Sequence, residues 1–458
     1  MYLRTDSAHR GRSQRAGANW PRWCREYCVV FLVIVFAAYT AVLFQSKGEE
    51  SEWNVCFARA ARHMLAHEAV NRADEFHDYS YPPSMALLSV PLAGLSPANS
   101  LWGWWAVNVT AAGIWFVCSW RMVGGPKLAP LTTTWCMILG VGLLTSVRWN
   151  LTTLEHQQFD LVIGALLLGG CYLLWRGHSL GSGALIGAAA AMKCTPLLFA
   201  PYLLWRRKPG AALMLVGVAV GLNLLPDLLL PQASGNSYLA DWVRFVRGEL
   251  GPSAPGTWRA DPLMNQSLAG FFHRIARFGL PLSAADLQAA PLAASTIPWL
   301  RLATYGTSLT LLAASFWRFG RPLQSPQIVS PREPLPIEAS HLQVGWEVSV
   351  IICLMLLLSP MSSKAHYVVL LLPCLLLARQ LVERPTPAIR VITVLLLICG
   401  PLTLKGLTGK LLGDLTLAWG SPTYFVLVVW YGAWRALKPP LLTWRPPVRK
   451  TIPATKAA

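Results

Sequence analysis

Acidic side chains are concentrated in one polar segment of the chain, between Gln45 and Tyr81. Seven of the 21 acidic residues fall there: Glu49, Glu50, Glu52, Glu68, Asp74, Glu75 and Asp78. A carboxylate can remove a proton from a hydroxyl group where its position and pKa suit the transfer. Glu52 follows the first apolar block closely, and Asp78 precedes Tyr81 by three residues. Both are candidate general bases, and spacing alone does not choose between them or exclude an acidic loop that only faces solvent.

A single lysine interrupts a long apolar stretch. Lys193 follows the apolar residues 185–192 and precedes a second apolar run, residues 196–205. A charged side chain at membrane depth costs about 2.5 to 3.5 kcal/mol on insertion scales, so such residues are functional candidates by default. An ammonium group in this place could hold a phosphate presented by a lipid. The alternative is a lysine that extends its long side chain to the interface.

A third polar group separates two apolar blocks, in the sequence Ser359 to Tyr367. It contains Lys364 and His366, which together are candidate contacts for an anion. The alternative for His366 is an ordinary interfacial histidine with its hydrogen bonds satisfied. Two further polar positions, Gln158 and Asn265, precede apolar segments and add neutral hydrogen-bond donors to the candidate site.

The composition assigns the chain to a class. Of the 458 residues, 54% are hydrophobic and only 13% are charged, whereas soluble domains carry about 25% charged residues. The apolar residues come in repeated blocks of about 15 to 21, the length that crosses a bilayer as a helix. A soluble enzyme, a DNA-binding protein and a disordered chain are excluded. We predict an all-α, polytopic transmembrane bundle of about 10–12 spans, with the blocks 85–95 and 185–205 too short to count as certain crossings.

The net charge of +18 is placed at the ends of the apolar blocks, which is typical of a membrane protein. Six arginines precede or begin the first block: Arg4, Arg10, Arg12, Arg15, Arg22 and Arg25. The positive-inside rule then predicts a cytoplasmic amino terminus and a multi-pass protein of the cell membrane. We expect basic tails at 1–26 and 438–458 around a transmembrane domain at 27–437, with exported loops at 45–81 and 231–277. The exported loops and turns would hold the candidate site. No nucleic-acid partner is expected.

Ordered short motifs in this chain resemble glycosyltransferase family 87. The motifs are Tyr81-Pro82-Pro83, Gln158-Phe159-Asp160, Ala190-Ala191-Met192-Lys193 with Pro196, Asn265-Gln266-Ser267-Leu268, and Ser359-Pro360 with Ser362, His366 and Tyr367. They span roughly residues 27 to 435 in the family's order. That family consists of polyprenol-phosphate-mannose-dependent α-1,2-mannosyltransferases of the GT-C superfold, so the resemblance implies this fold and this activity.

The resemblance also implies roles for individual residues. Glu52 takes the place of the family's catalytic acid, and Lys193 and His366 match its lysine and late histidine. The donor would be a hexose, most simply mannose, on a polyprenyl phosphate, and the acceptor a hydroxyl of a lipid or glycan. Glu52 would deprotonate the acceptor, and the anomeric carbon would be inverted. Lys193, His366 and Arg274 would stabilise the departing phosphate by their charge, so neither a metal nor a cofactor is expected.

Residues Tyr81, Gln158, Asn265 and Lys364 complete the expected substrate-binding set. Two alternatives remain open. A lipid transporter or flippase would also place charges at membrane depth, but it should show internal repeats, and none is evident. Departures from the family pattern at Gln157, Ser363 and Ala365 leave room for a paralogue that kept the fold and lost turnover.

Overall fold

The computed structural model describes residues 22–72, 75, 79–128, 131–250, 255–256, 263–277, 292–320 and 337–437. The expected basic tails therefore lie almost wholly outside the described residues, and so does the candidate base Asp78. The described part of the chain is helical and contains no strand. The predicted all-α class is confirmed.

Seventeen α-helices, numbered in chain order, form this part of the protein. They are α1 Arg22–Lys47, α2 Arg59–Leu65, α3 Pro83–Ala93, α4 Pro97–Met122, α5 Thr133–His156, α6 Asp160–Trp175, α7 Ser179–Met192, α8 Phe199–Trp205, α9 Pro209–Leu229, α10 Tyr238–Leu250, α11 Leu268–Ala276, α12 Thr296–Phe319, α13 Ile337–Leu358, α14 Leu371–Glu383, α15 Pro387–Cys399, α16 Lys405–Ala418 and α17 Ser421–Ala436. Short 3-10 helices span Gly48–Glu50, Thr195–Leu198, Lys364–Leu370 and Pro401–Thr403, and a π-helix spans Trp53–Ala58.

Several helices have the length and hydropathy of membrane spans. Among the described residues, Pro97–Met122, Pro209–Leu229 and Lys364–Glu383 pass on length and composition, and α15 with α16 passes as a pair bent by 96°. Six shorter apolar helices accompany them. Large apolar side chains such as Phe31 on α1 and Leu213 on α9 are exposed, at 65% and 73%. Apolar surface of this kind is stable against lipid rather than water, and the protein is a polytopic membrane protein.

The two short blocks noted in the sequence are short helices in the structure. The first is α3, which has only 11 residues and contains Pro91. The second is broken, because α7 ends at Met192 and Lys193 adopts an extended conformation (φ −157°, ψ 118°) before a 3-10 turn and α8. Proline at 196 is compatible with the start of that turn, since its missing N–H is not needed there. The break places Lys193 at a helix end rather than inside a continuous span.

Small residues allow α7 and α9 to pack with their backbones in contact. A Cβ atom at Gly183 would lie 2.3 Å from the carbonyl oxygen of Ala211, and one at Gly187 would lie 2.5 Å from that of Leu215. Close approach through small side chains is a common way to associate helices in membranes. Asn223 of α9 then donates to Ala191 O at 3.1 Å and accepts from the backbone N–H of Ser84 at 3.1 Å. The end of α7 and the start of α3 are thereby fixed to α9.

The structure differs from the sequence-based expectation in the polar segments. The expected loop 231–277 contains the amphipathic helix α10 and the shorter α11. On α11 and just after it, His273, Arg274 and Arg277 are only 2–3% exposed, so the basic residues face the protein interior. The expected loop 45–81 contains the π-helix followed by α2, and Phe57 and Met64 on these helices are fully buried.

Candidate active site

Glu52 and Gln158 form the first contact of the candidate site. The side-chain nitrogen of Gln158 donates hydrogen bonds to both carboxylate oxygens of Glu52, at 3.0 Å each. Glu52 immediately precedes the π-helix at Trp53, and Gln158 follows the end of α5, where Gln157 adopts a left-handed conformation (φ 54°). The other amide atom, Gln158 Oε1, is buried and has no hydrogen-bond partner in the described part of the chain.

A layer of aromatic rings fixes both of these residues. Trp53, next to Glu52, is fully buried, stacks on Trp104 at a centroid distance of 4.6 Å and donates from Nε1 to Ser100 Oγ at 2.8 Å. Trp104 Nε1 donates in turn to the carbonyl of Gln157 at 2.9 Å. Trp53 adjoins Glu52, and Trp104 is bonded to Gln157, which adjoins Gln158. The ring pair therefore holds the carboxylate and the amide in one geometry.

Lys193 forms an ion pair with Asp160 that the sequence analysis did not predict. The distance from Lys193 Nζ to Asp160 Oδ1 is 2.9 Å, and the two side chains are 15% and 6% exposed. The ammonium group also lies 6.0 Å from the ring centre of Tyr81. Asp160 stands in the motif Gln158-Phe159-Asp160, two residues after a predicted site residue, so the signal was present in the sequence. The pair lowers the cost of placing a lysine at this depth.

His366 belongs to the same cluster as Lys193 and Glu52. Its charged neighbours are Lys193 and Asp160, and Lys193 itself interacts electrostatically with Glu52. The backbone N–H of Ser363 donates to His366 Nδ1 at 3.1 Å. A neutral imidazole with Nδ1 as acceptor carries its proton on Nε2, which is then a hydrogen-bond donor. The structure thus brings together Glu52, Gln158, Lys193, Tyr81 and His366, and adds Asp160.

Asn265 and Arg274 lie elsewhere and bond to the protein itself. Asn265 is fully buried; its Nδ2 donates to Pro360 O at 2.8 Å, and its Oδ1 accepts from Ser267 Oγ at 2.8 Å. Arg274 donates to the carbonyl of Asn265, to Gln266 Oε1 at 3.1 Å and to Ala418 O at 3.2 Å. Burial lowers the pKa of Arg274 to about 10, so it stays charged at neutral pH. These bonds anchor the loop that follows α13 and do not bring either side chain to Glu52.

Lys364 is separated from His366 although the two residues are only two positions apart on the short 3-10 helix. The charged neighbours of Lys364 are Arg148, Lys405, Glu155 and Asp414. None of these is a neighbour of His366. Residues two apart on a 3-10 helix point to different sides, because each residue turns the helix by about 120°. Lys364 therefore does not join the cluster around Glu52.

Other acids of the segment 45–81 are occupied in ion pairs. Glu75 pairs with Arg59 at 2.9 Å, and Glu68 pairs with Arg72 at 2.8 Å. His63 bonds to both glutamates, at 2.8 and 2.9 Å. The hydrogen bond from His63, followed by the charge of Arg72, lowers the pKa of Glu68. Among the described acids of this segment, Glu52 is the one that an amide and a lysine from other helices approach.

Comparisons with known proteins give one family. The sequence profile of glycosyltransferase family 87 matches residues 79–329, more than half of the chain. No curated protein matches this chain. The crystal structure of ArnT from Cupriavidus metallidurans bound to undecaprenyl phosphate aligns with 90% of this chain and 77% of that chain, at 13% sequence identity and a TM-score of 0.35. An alignment with this TM-score does not support an assignment of function. The profile match contains Tyr81, Gln158, Asp160 and Lys193, whereas Glu52 and His366 lie outside it.

Proposed function

The chain belongs to glycosyltransferase family 87, and from this premise we propose that it transfers mannose from a polyprenyl-phosphate donor to a hydroxyl group of a lipid or glycan. The reaction would take place on the exported face of the cell membrane. The observation that supports the proposal is the meeting of a carboxylate, Glu52, with a buried cation, Lys193, and a histidine, His366, at one place. A transfer of this kind needs a base for the acceptor and positive charge for the leaving phosphate.

In the proposed step, Glu52 takes the proton of the acceptor hydroxyl. The hydroxyl oxygen forms a bond to the anomeric carbon while the bond from that carbon to the phosphate oxygen breaks. The electron pair of the broken bond leaves with the polyprenyl phosphate, and attack from the opposite side inverts the anomeric centre. Gln158 holds the carboxylate through two hydrogen bonds of 3.0 Å, and such orientation is a large part of general-base efficiency.

Lys193 and His366 would stabilise the negative charge that develops on the leaving phosphate. Charge-assisted hydrogen bonds from an ammonium group and an imidazole N–H are short and strong, and they act where water is excluded. Asp160 keeps Lys193 charged and in place when no phosphate is bound. Because the Lys193 ammonium and the His366 N–H would supply this stabilisation, we propose that the transfer proceeds without a metal ion. The buried Gln158 Oε1 and the Tyr81 ring are proposed to contact the sugar or the acceptor.

Asn265 and Arg274 are proposed as positioning residues for this site. They bond the segment before α11 to the loop that leads to His366, so their loss would displace His366 rather than remove a substrate contact. Family membership favours a transferase over the lipid transporter that the charge pattern also allowed.

Purified protein in detergent tests the donor directly. Labelled polyprenyl-phosphate mannose with a lipid extract as acceptor should give labelled product in the presence of a chelator, and a nucleotide sugar alone should give none. The proposal is wrong if transfer requires Mn²⁺ or Mg²⁺, or if the nucleotide sugar is used directly. Polyprenyl-phosphate glucose in a parallel reaction tests the choice of hexose.

A further inference from the structure

Arg148 is a buried cation without an evident counter-ion. It lies on α5, is only 2% exposed, and its Nη1 atom is buried with no hydrogen-bond partner among the described residues. The guanidinium carbon lies 5.2 Å from the centre of the neighbouring Trp149 ring. An unpaired buried charge is costly, and proteins normally satisfy a buried arginine with a carboxylate or another anion. A buried guanidinium with an unsatisfied donor is suited to bind an anionic group.

A second cation, Lys364, lies near Arg148, and two further lysines lie near Lys364 and Asp414. Lys364 interacts electrostatically with Arg148 and with Lys405, and Lys410 lies close to Asp414. Among the described residues, Glu155 and Asp414 are the acidic neighbours of Lys364, and the Asp414 carboxylate is already paired with Lys405 at 2.6 Å. Neither Arg148 nor Lys364 has a carboxylate within ion-pair distance in the part of the chain that the structure describes. The cluster therefore carries excess positive charge around a buried guanidinium.

The position of this cluster fits the phosphate of a lipid. Arg148 precedes the end of α5 at His156 by eight residues, about 12 Å along the helix. Lys405 follows the 96° bend between α15 and α16. On α16 the side chains of Leu407 and Leu411 are 69% and 82% exposed. Cations next to exposed leucines at a helix bend match the boundary where a lipid places its phosphate above its hydrocarbon chain.

We propose that Arg148 and Lys364 form a second anion site, distinct from the cluster around Glu52, which binds the phosphate group of an anionic membrane lipid. The source of that phosphate is either a polyprenyl phosphate or a phospholipid headgroup, which offer the same chemistry. Arg148 supplies a planar pair of N–H donors and Lys364 supplies a second charge. The inference does not depend on the proposed transfer reaction, because binding and stability test it without turnover.

The affinity of lipids for the delipidated full-length protein in detergent tests the proposed site. The probes are undecaprenyl phosphate and phosphatidylglycerol, with undecaprenol and diacylglycerol as their phosphate-free counterparts. We expect at least one phosphate lipid to bind, and Arg148→Met and Lys364→Met each to weaken that binding about tenfold or more. The matched control is Lys127→Met, which removes an exposed lysine outside the cluster and should leave binding unchanged. The lipid that responds to Arg148→Met identifies the source of the phosphate.

Thermal unfolding without added lipid separates a ligand site from a structural residue. Arg148→Met keeps an apolar stem beside Trp149 and removes an unpaired buried charge, so its melting temperature should equal or exceed that of the wild type. Added phosphate lipid should stabilise the wild type more than it stabilises Arg148→Met, because undecaprenyl phosphate would also bind at Lys193 and His366 in both proteins. The proposal is overturned if Arg148→Met binds both phosphate lipids like the wild type, if undecaprenol or diacylglycerol binds as tightly as its phosphate counterpart, or if Arg148→Met melts at a clearly lower temperature without lipid.

Discussion

The side-chain nitrogen of Gln158 lies 3.0 Å from each carboxylate oxygen of Glu52. The two residues are 106 positions apart in the chain, and each is held by the Trp53–Trp104 ring pair. The contact selects Glu52 from the acids of its segment and gives its carboxylate one orientation.

Replacing Glu52 by Gln should lower kcat by about 10² to 10⁴, the usual contribution of a general base. Donor binding should change little, because the amide is similar in size and still reaches Gln158. Transfer from labelled lipid donor measures the rate. Glu50→Gln is the matched control, since Glu50 is exposed two residues away, and it should retain activity. A larger loss in Asp78→Asn than in Glu52→Gln would contradict the assignment of the base.

Replacing Gln158 by Leu should reduce kcat more than it raises KM for the donor. The apolar side chain fills the space but no longer holds the carboxylate, and misorientation of a base acts mainly on the chemical step. Steady-state kinetics on the variant and on Glu52→Gln/Gln158→Leu distinguish the mechanism. In the double variant the second substitution should cost little, since its partner is already lost. Fully additive losses would show that Gln158 acts independently of Glu52.

Variants of the Lys193–Asp160 pair should differ in how they affect stability and activity. Asp160→Asn and Lys193→Met should each destabilise the protein by about 3 kcal/mol, because each leaves one partner of a buried pair uncompensated. The double variant should recover most of that stability, which thermal unfolding in detergent measures. Activity should not recover, since Lys193 is proposed to hold the leaving phosphate. An active double variant would reduce the pair to a structural role.

Burial, followed by the nearby charge of Arg277, lowers the pKa of His273 to about 4 from its ordinary value of 6.5. In the unfolded chain the imidazole takes up a proton below about pH 6.5, whereas in the folded protein it does so only near pH 4. The contribution of neutral His273 to stability is therefore present above pH 6.5 and is lost as the pH falls from 6.5 towards 4. His273→Gln should show a flatter decline of melting temperature over this interval. An identical decline in wild type and variant would assign the pH dependence to other groups.

The proposed topology places the segment 45–81 outside the cell. A cysteine tests this best at Glu50, because Glu50 is exposed whereas Ser51 is only 2% exposed. In a background without native cysteines, Glu50→Cys should react with an impermeant thiol reagent in intact cells. Arg121 and Lys127 flank the end of α4, and the positive-inside rule places such basic residues on the cytoplasmic side, so Lys127→Cys should react only after permeabilisation. The reverse pattern would place Glu52 on the cytoplasmic face.

The sequence by itself determined the class of the protein and most of its helices. Low charge and repeated apolar blocks admit few structures other than a helical membrane bundle, because in lipid every backbone polar group must be satisfied within the segment. The blocks at 85–95 and 185–205, which in the sequence were too short to count as certain crossings, form a short helix and a broken one. The ordered motifs also identified the family, and they contained both Gln158 and Asp160.

Only the tertiary structure decided which of the polar residues meet. Lys193 and Asp160 are 33 positions apart, and no sequence periodicity predicts their contact. The close packing of helices and the break after α7 bring them together. The same packing buries Arg148 and Arg274, and the turn of the 3-10 helix Lys364–Leu370 separates Lys364 from His366. Hydrophobic patterns report which side of a helix is apolar, a local property. The partner of a side chain depends on how distant helices are packed together, and that information lies in the fold.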